Sequence, residues 1–299
     1  MSRAQVALHT AEPADGAVAV TLAVPPAARR RRELGRFVLT VILPPVIVFV
    51  LAMAVWCLFT YVVLKPSRRF LLPPPQEVLT QGLLKWESVH PMLTALALTA
   101  RAALIGFTIA VVLGSLLATV MSQARWLERS LFPYAVILQT IPILALVPLI
   151  GFSLGFNFRS RILICVMISI FPIITTVLFG MQSVDRGLHD LFTLQRVSRW
   201  TRLRKLMIPA ALPSFFTGLR TSAGLSVIGA IVGDFYFLQG QPGIGALLNS
   251  YSAQLQSDQL FAAVILCSLL GVAAFTIVGL LSRRVIGKWH ESAMDHSRS

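Results

Sequence analysis

The residues able to do chemistry in this sequence are the few charged side chains that fall inside long apolar runs. Arg101, Arg220 and Asp234 are of this kind. In an apolar setting such groups pair, reach for the headgroup region or line a polar path. Arg220 stands about one turn inside its run, so reaching the headgroups is the simplest account of it. Arg101 stands in the outer part of its run and Asp234 near the outer end of its own, placed to meet the interface or one another, and Arg101 is also placed to guide an anionic solute. No cluster of acids within the runs suggests a proton or sodium relay. Cys57, Cys165 and Cys267 are widely separated and each lies in an apolar run, which reads as small buried hydrophobes. The five histidines have no ligand spacing, so no metal site is expected. No paired catalytic residues stand within the runs, and G-x-x-x-x-G-K-[ST] is missing, so the chain does not cradle ATP phosphates by that device.

The densest charge lies elsewhere, in the segment between the fourth and fifth apolar runs. Arg196, Arg199, Arg202 and Lys205 recur every third residue, and Val197, Trp200, Leu203 and Leu206 do so one position later. On a helix the two stripes stand about 100° apart, giving an apolar face flanked by a basic one. Ile208-Pro209-Ala210-Ala211-Leu212-Pro213 comes next. Pro209 lacks an N–H and disfavours helix at Ile208, and Pro213 suits the first turn of a following helix. The spacing predicts a short amphipathic helix, a fixed bend, then a membrane span. Two uses fit these residues: an interfacial helix held by anionic lipid, or a docking element for a cytoplasmic partner.

The composition sets the frame for both. Of 299 residues, 56% are hydrophobic and 13% charged, with mean hydropathy +0.77. A soluble domain carries about a quarter charged residues, so this is an integral membrane protein. A net charge of +14 fits cytoplasmic loops better than nucleic acid, for which no binding module is present. Six apolar runs suffice to cross a core of about 30 Å: Phe37–Val63, Leu93–Val120, Phe132–Leu154, Ile162–Gly180, Phe216–Phe237 and Phe261–Leu281. The first is too long for a signal-peptide core, roughly 7–15 residues, and has no small-residue cleavage site. Lys and Arg number 18 in the terminal segments and the loops after spans 2 and 4, against 6 in the opposite loops, which predicts both termini cytoplasmic. The expected organisation is a disordered segment 1–36, a first helix 37–63, an outer connection 64–91, a five-helix core 92–282 holding the basic loop 182–212, and a cytoplasmic tail 283–299. Pro142 and Pro148 free backbone carbonyls in span 3, which favours placing it beside a polar path. Gly229-x-x-x-Gly233 and Gly151-x-x-x-Gly155 offer the spacing of close helix packing, most simply within one subunit.

The order of these features resembles the membrane-spanning permease subunits of binding-protein-dependent ATP-binding-cassette importers, in their nitrate, sulfonate and taurine branch. That branch also takes in transporters of thiamine-pyrimidine and riboflavin type. Leu206-Met207-Ile208-Pro209 falls on the family's I-x-L-P, the end of its E-A-A, three residues, G, nine residues, I-x-L-P motif. Asp190-Leu191-Phe192 stands where E-A-A is usual, and Arg196 where the family has a glycine that permits a tight turn between two short helices. "ALTARAALIGF", "QTIPILALVPLIGF", "FTGLRTSAGLSVIGAIVGDF" and "GQPGIGALL" resemble further family segments in the same order. The resemblance covers about Pro73 to Leu281. It implies an all-α, six-span, non-enzymatic importer permease. Asp190, Arg196, Val197, Arg199, Trp200, Leu203, Leu206, Ile208 and Pro209 would form the loop that couples to a separate ATPase, where ATP and Mg would bind. Arg101, Pro142, Pro148, Arg220 and Asp234 would be candidates for the pathway. A second copy of the chain and an extracytoplasmic solute-binding protein would complete the importer, and the cargo would be a small anion or a vitamin-precursor heterocycle. The alternative is an ion- or proton-coupled secondary transporter, which would ordinarily show inverted repeats and midplane ionisable residues. Neither is visible.

Overall fold

A computed structural model describes residues 43–286 of the chain. The expected segment 1–36, the start of the first span at Phe37 and the tail beyond Ile286 lie outside the described residues. Every regular element among the described residues is helical.

The chain divides into two units between Trp56 and Cys57. The described part of the first belongs to helix α1, Leu43–Val63, whose last five residues wind as a π turn. It is apolar all round, with Val48 and Phe49 exposed, as suits a helix solvated by lipid.

In the second unit, the expected connection 64–91 is partly helical. A 3₁₀ turn spans Pro66–Leu71 and a π turn Val78–Leu83. Arg69 donates to the Tyr61 carbonyl at 3.2 Å, and Tyr61 Oη donates to Gln76 at 3.1 Å. Helix α2, Trp86–Ser122, starts earlier than its apolar run. After it come α3 (Arg125–Thr140), α4 (Ile143–Leu154), α5 (Phe158–Gln182), α6 (Arg186–Leu194), α7 (Arg199–Tyr236), α8 (Ile244–Ala253) and α9 (Ser257–Ile286).

Glycines set the register of the core. A Cβ at Gly233 would stand 3.1 Å from Arg161 Cα, and at Gly229, 2.9 Å from Cys165 Cα; at Gly180 it would meet Ala211 Cα at 2.9 Å. The partner number falls as the other rises, so α5 and α7 pack antiparallel along most of their length. The expected role of Gly229-x-x-x-Gly233 in packing within the subunit agrees with this. A Cβ at Gly106 would stand 3.2 Å from Ile162 O, and one at Gly114 would stand 3.2 Å from Ile170 O. Here both numbers rise together, so α2 and α5 run parallel. The buried layer between these helices includes Ala110, Ala118, Ile173, Val177 and Leu178.

The parallel pair settles the fate of the third apolar run. If α2 and α5 point the same way, the chain between them must return across the membrane, and only α3 and α4 lie in that stretch. They are bent by 96° at the break between them. The third run is therefore a broken span and, with α1, the total is six. Pro142 is the cause: it stands as N-cap of α4 at φ −61, ψ 105, non-helical geometry that a residue with no N–H tolerates at a helix start. Pro148 lies inside α4. Gly155 ends α4 at φ +84, and Gly151 leaves room for the Phe156 ring that folds back on the helix.

A second expectation fails at Pro209. No bend separates a short helix from the fifth span; α7 continues from Arg199 to Tyr236. Ile208 is helical at φ −63, ψ −49 despite preceding proline, and its N–H reaches Leu203 O across a π turn, Leu203–Met207. Widening one turn absorbs the donor that proline lacks without breaking the axis. Pro213 consequently lies inside the helix. The helix α9 also runs past Leu281, so Arg283 and Arg284 are helical rather than part of a loose tail.

Candidate coupling turn and buried ion-pair network

At one end of the bundle, α6 and α7 meet in a tight turn. Asp185 caps α6, its carboxylate accepting from the Gly187 N–H at 2.7 Å. The helix closes with the N–H of Val197 on Phe192 O (3.1 Å) and that of Arg196 on Thr193 O (3.0 Å). This is the Schellman arrangement, and Arg196 occupies its left-handed position at φ 50. The position where the resemblance implies glycine thus keeps the glycine conformation with an arginine in it. Ser198 caps α7, accepting from the Thr201 N–H. Arg202 reaches back to Thr193 Oγ1 at 2.8 Å, which pins the two helices together.

The expected stripes divide accordingly. Arg196 and Val197 lie in the turn, so the helical part of the pattern begins at Arg199. Leu203 (4% exposed) and Leu206 (9%) are buried inside the subunit, because the π turn and α7 carry them under the bundle. They are unavailable to a partner. Trp200 is 69% exposed and Leu194 82% exposed, with Leu188, Leu191 and Ile208 also exposed. Asp190, Arg199 and Pro209 are exposed as well. The outward apolar surface is therefore built mainly from α6, at Leu188, Leu191 and Leu194, plus Trp200.

At the opposite end, Asp234 is fully buried, paired with Arg161 at 3.2 Å rather than with Arg101. Arg161, with a 1% exposed side chain, also donates to Phe237 O (2.9 and 2.6 Å) and to Gln241 O (3.2 Å). Thr99 Oγ1 donates to Asp234 at 2.5 Å and accepts the Ile244 N–H at 2.9 Å. One network thereby ties α2, α5, α7, the 237–243 loop and the start of α8. Gly243 and Gly245 are required here: a Cβ on either would run into the Asp234 side chain. Arg101 remains exposed, its guanidinium 5.8 Å from the centre of the Phe158 ring. Hydropathy and charge counting place Arg161 among the loop charges, since it sits just outside the apparent start of its run. The helix start at Phe158 is what brings it inside the bundle.

Arg220 lies near the middle of α7, because the helix begins at Arg199, ahead of the apolar run. Its guanidinium stands 3.9 Å from the Phe275 ring on α9, a cation–π contact in an apolar setting. Pro142 and Pro148 are not among the buried residues of the broken span.

Residues 110–287 match the family model of the binding-protein-dependent transport system inner membrane component. The chain belongs to that family. Relatives of this family include the formylaminopyrimidine transport permease protein of Halalkalibacterium halodurans, 31% identical over 79% of this chain and 92% of that one. Another is the riboflavin transport system permease protein of Chloroflexus aurantiacus, 32% identical over 75% and 82%. A solved amino acid ABC transporter with histidines shares the fold at TM-score 0.54, with 16% identity over 66% of this chain and 95% of its own. As a permease of this family the chain is a multi-pass membrane protein, and the six-span helical core fits that membership. The match takes in the turn, α5, α7 and α9, while Thr99 and Arg101 precede it.

Proposed function

We propose that the chain is one of two permease copies in an ATP-driven importer, with the α6–α7 turn seated in a separate ATPase subunit. The observation that carries this is the apolar patch of Leu188, Leu191, Leu194 and Trp200, left uncovered beyond the end of the bundle and flanked by Arg196 and Arg199. Such a patch at the tip of a hydrogen-bonded turn fits a protein partner. The charge balance supports placing this end, and both termini, in the cytoplasm. ATP and Mg would bind to that partner, and closure of two ATPases would draw two turns together. The rigid turn, locked by the Schellman hydrogen bonds and the Arg202–Thr193 contact, passes the movement straight into α7. A solute-binding protein would deliver cargo at the Arg161–Asp234 end. The names of the relatives favour a small nitrogen heterocycle over an inorganic anion as cargo.

The test is co-purification of the full chain with its co-expressed ATPase. Leu194→Asp and Trp200→Asp should each abolish retention of the ATPase while leaving the thermal midpoint of the permease unchanged, since both side chains are exposed. Retention by both variants would refute the docking assignment.

A further inference from the structure

Beside the turn lies a half-open cavity of about 560 Å³ whose charges have no function in the coupling just described. Arg125 and Arg129 enter it from the first turns of α3, and Arg186 from the first turn of α6. Its floor is formed by Met121, Met181 and Met207, all buried. Glu128 is the one acid in the lining, and it is engaged by Gln182, whose Nε2 donates to it at 2.8 Å. Among the described residues no carboxylate pairs with any of the three arginines; the ion pairs present are Lys85–Glu87 and Arg161–Asp234. Glu128 offsets one of the three positive charges, and all three arginines are exposed at the mouth, so the cavity keeps an excess positive charge that a bound anion would offset.

We propose that this cavity is a phosphate oxyanion site bracing α6 against α3. Guanidinium forks match phosphate geometry, and three of them can bind one group from different sides. The volume is too large for a bare halide and accommodates a phosphate with its substituent. Ala124, also in the lining, leaves the α3 N-terminus without a side-chain cap, which adds backbone donors of the right polarity. Trp126 is 67% exposed beside Arg125, the pairing of tryptophan and arginine found at headgroup level. The phosphate can therefore come from an anionic phospholipid or from solution. Because Arg186 and His189 line the cavity from α6, occupancy would set how firmly the turn is seated. The site does not depend on the ATPase reading.

The experiment uses the full chain, without ATPase, in nanodiscs of phosphatidylcholine, with phosphatidylglycerol mixed in or inorganic phosphate added. The cavity variant carries Arg125→Gln, Arg129→Gln and Arg186→Gln. A control loses the same charge elsewhere through Arg204→Gln, Lys205→Gln and Arg284→Gln. Native mass spectrometry should show phosphatidylglycerol retained over phosphatidylcholine by about tenfold in the wild type and the control, and not in the cavity variant. If the preference is lacking but inorganic phosphate raises the thermal midpoint in all but the cavity variant, the soluble anion is the occupant and the site stands. Equal losses in the cavity variant and the control, or no response of the wild type to either anion, would overturn the proposal.

Discussion

Arg161 and Asp234 bury two opposite charges deep in the bundle, and the effect of removing either depends on the other. Arg161→Ala should destabilise the chain by about 3–5 kcal/mol, because the Asp234 carboxylate would lose its counter-charge and Phe237 O and Gln241 O their donor. Adding Asp234→Ala to that variant should recover part of the loss, and thermal unfolding of the single and double variants in detergent measures this coupling. Equal losses in the single and double variants would contradict it. Arg196→Gly should act in the other direction. The side chain in a left-handed conformation costs on the order of 1 kcal/mol, and glycine removes that cost at the C′ position. A rise in thermal midpoint checks it.

At the level of elements, the α5–α7 contact is limited by glycine. Replacing Gly229 by Leu would push Cys165 and its backbone away, so the helix pair should separate and the variant should fail to elute as a monodisperse species in size-exclusion chromatography. Gly224 makes no such contact, and Gly224→Ala should be tolerated in the same assay. The turn behaves differently from the span it adjoins. Periodicity indicates the amphipathic stretch and its position, but a three-residue repeat cannot say where the helix is interrupted. The hydrogen bonds of Val197 and Arg196 back to α6 divide the stripe, and Leu203 and Leu206 go to the core. Likewise Pro209 signals a break that one π turn makes unnecessary.

For the whole molecule, topology rests on α2 and α5 being parallel. Ser198→Cys, in the turn, and Gln241→Cys, in the opposite loop, should label from opposite faces of the membrane with an impermeant thiol reagent in a background lacking Cys57, Cys165 and Cys267. Labelling of both from one face would contradict the six-span path and the proposed orientation alike.

Sequence alone determined that the chain is a membrane protein, which runs are long enough to cross, and where the turn lies, because hydropathy, charge and short motifs are local properties. It also carried the family resemblance that the family match confirms. The tertiary structure decided which charges meet. Arg161 reaches Phe237 across 76 positions and Thr99 reaches Asp234 across 135, and no periodicity encodes such pairings. It decided also that the third run is a broken span and that two of the expected docking leucines face inward, since both depend on how neighbouring helices cover a side chain or force the chain to return.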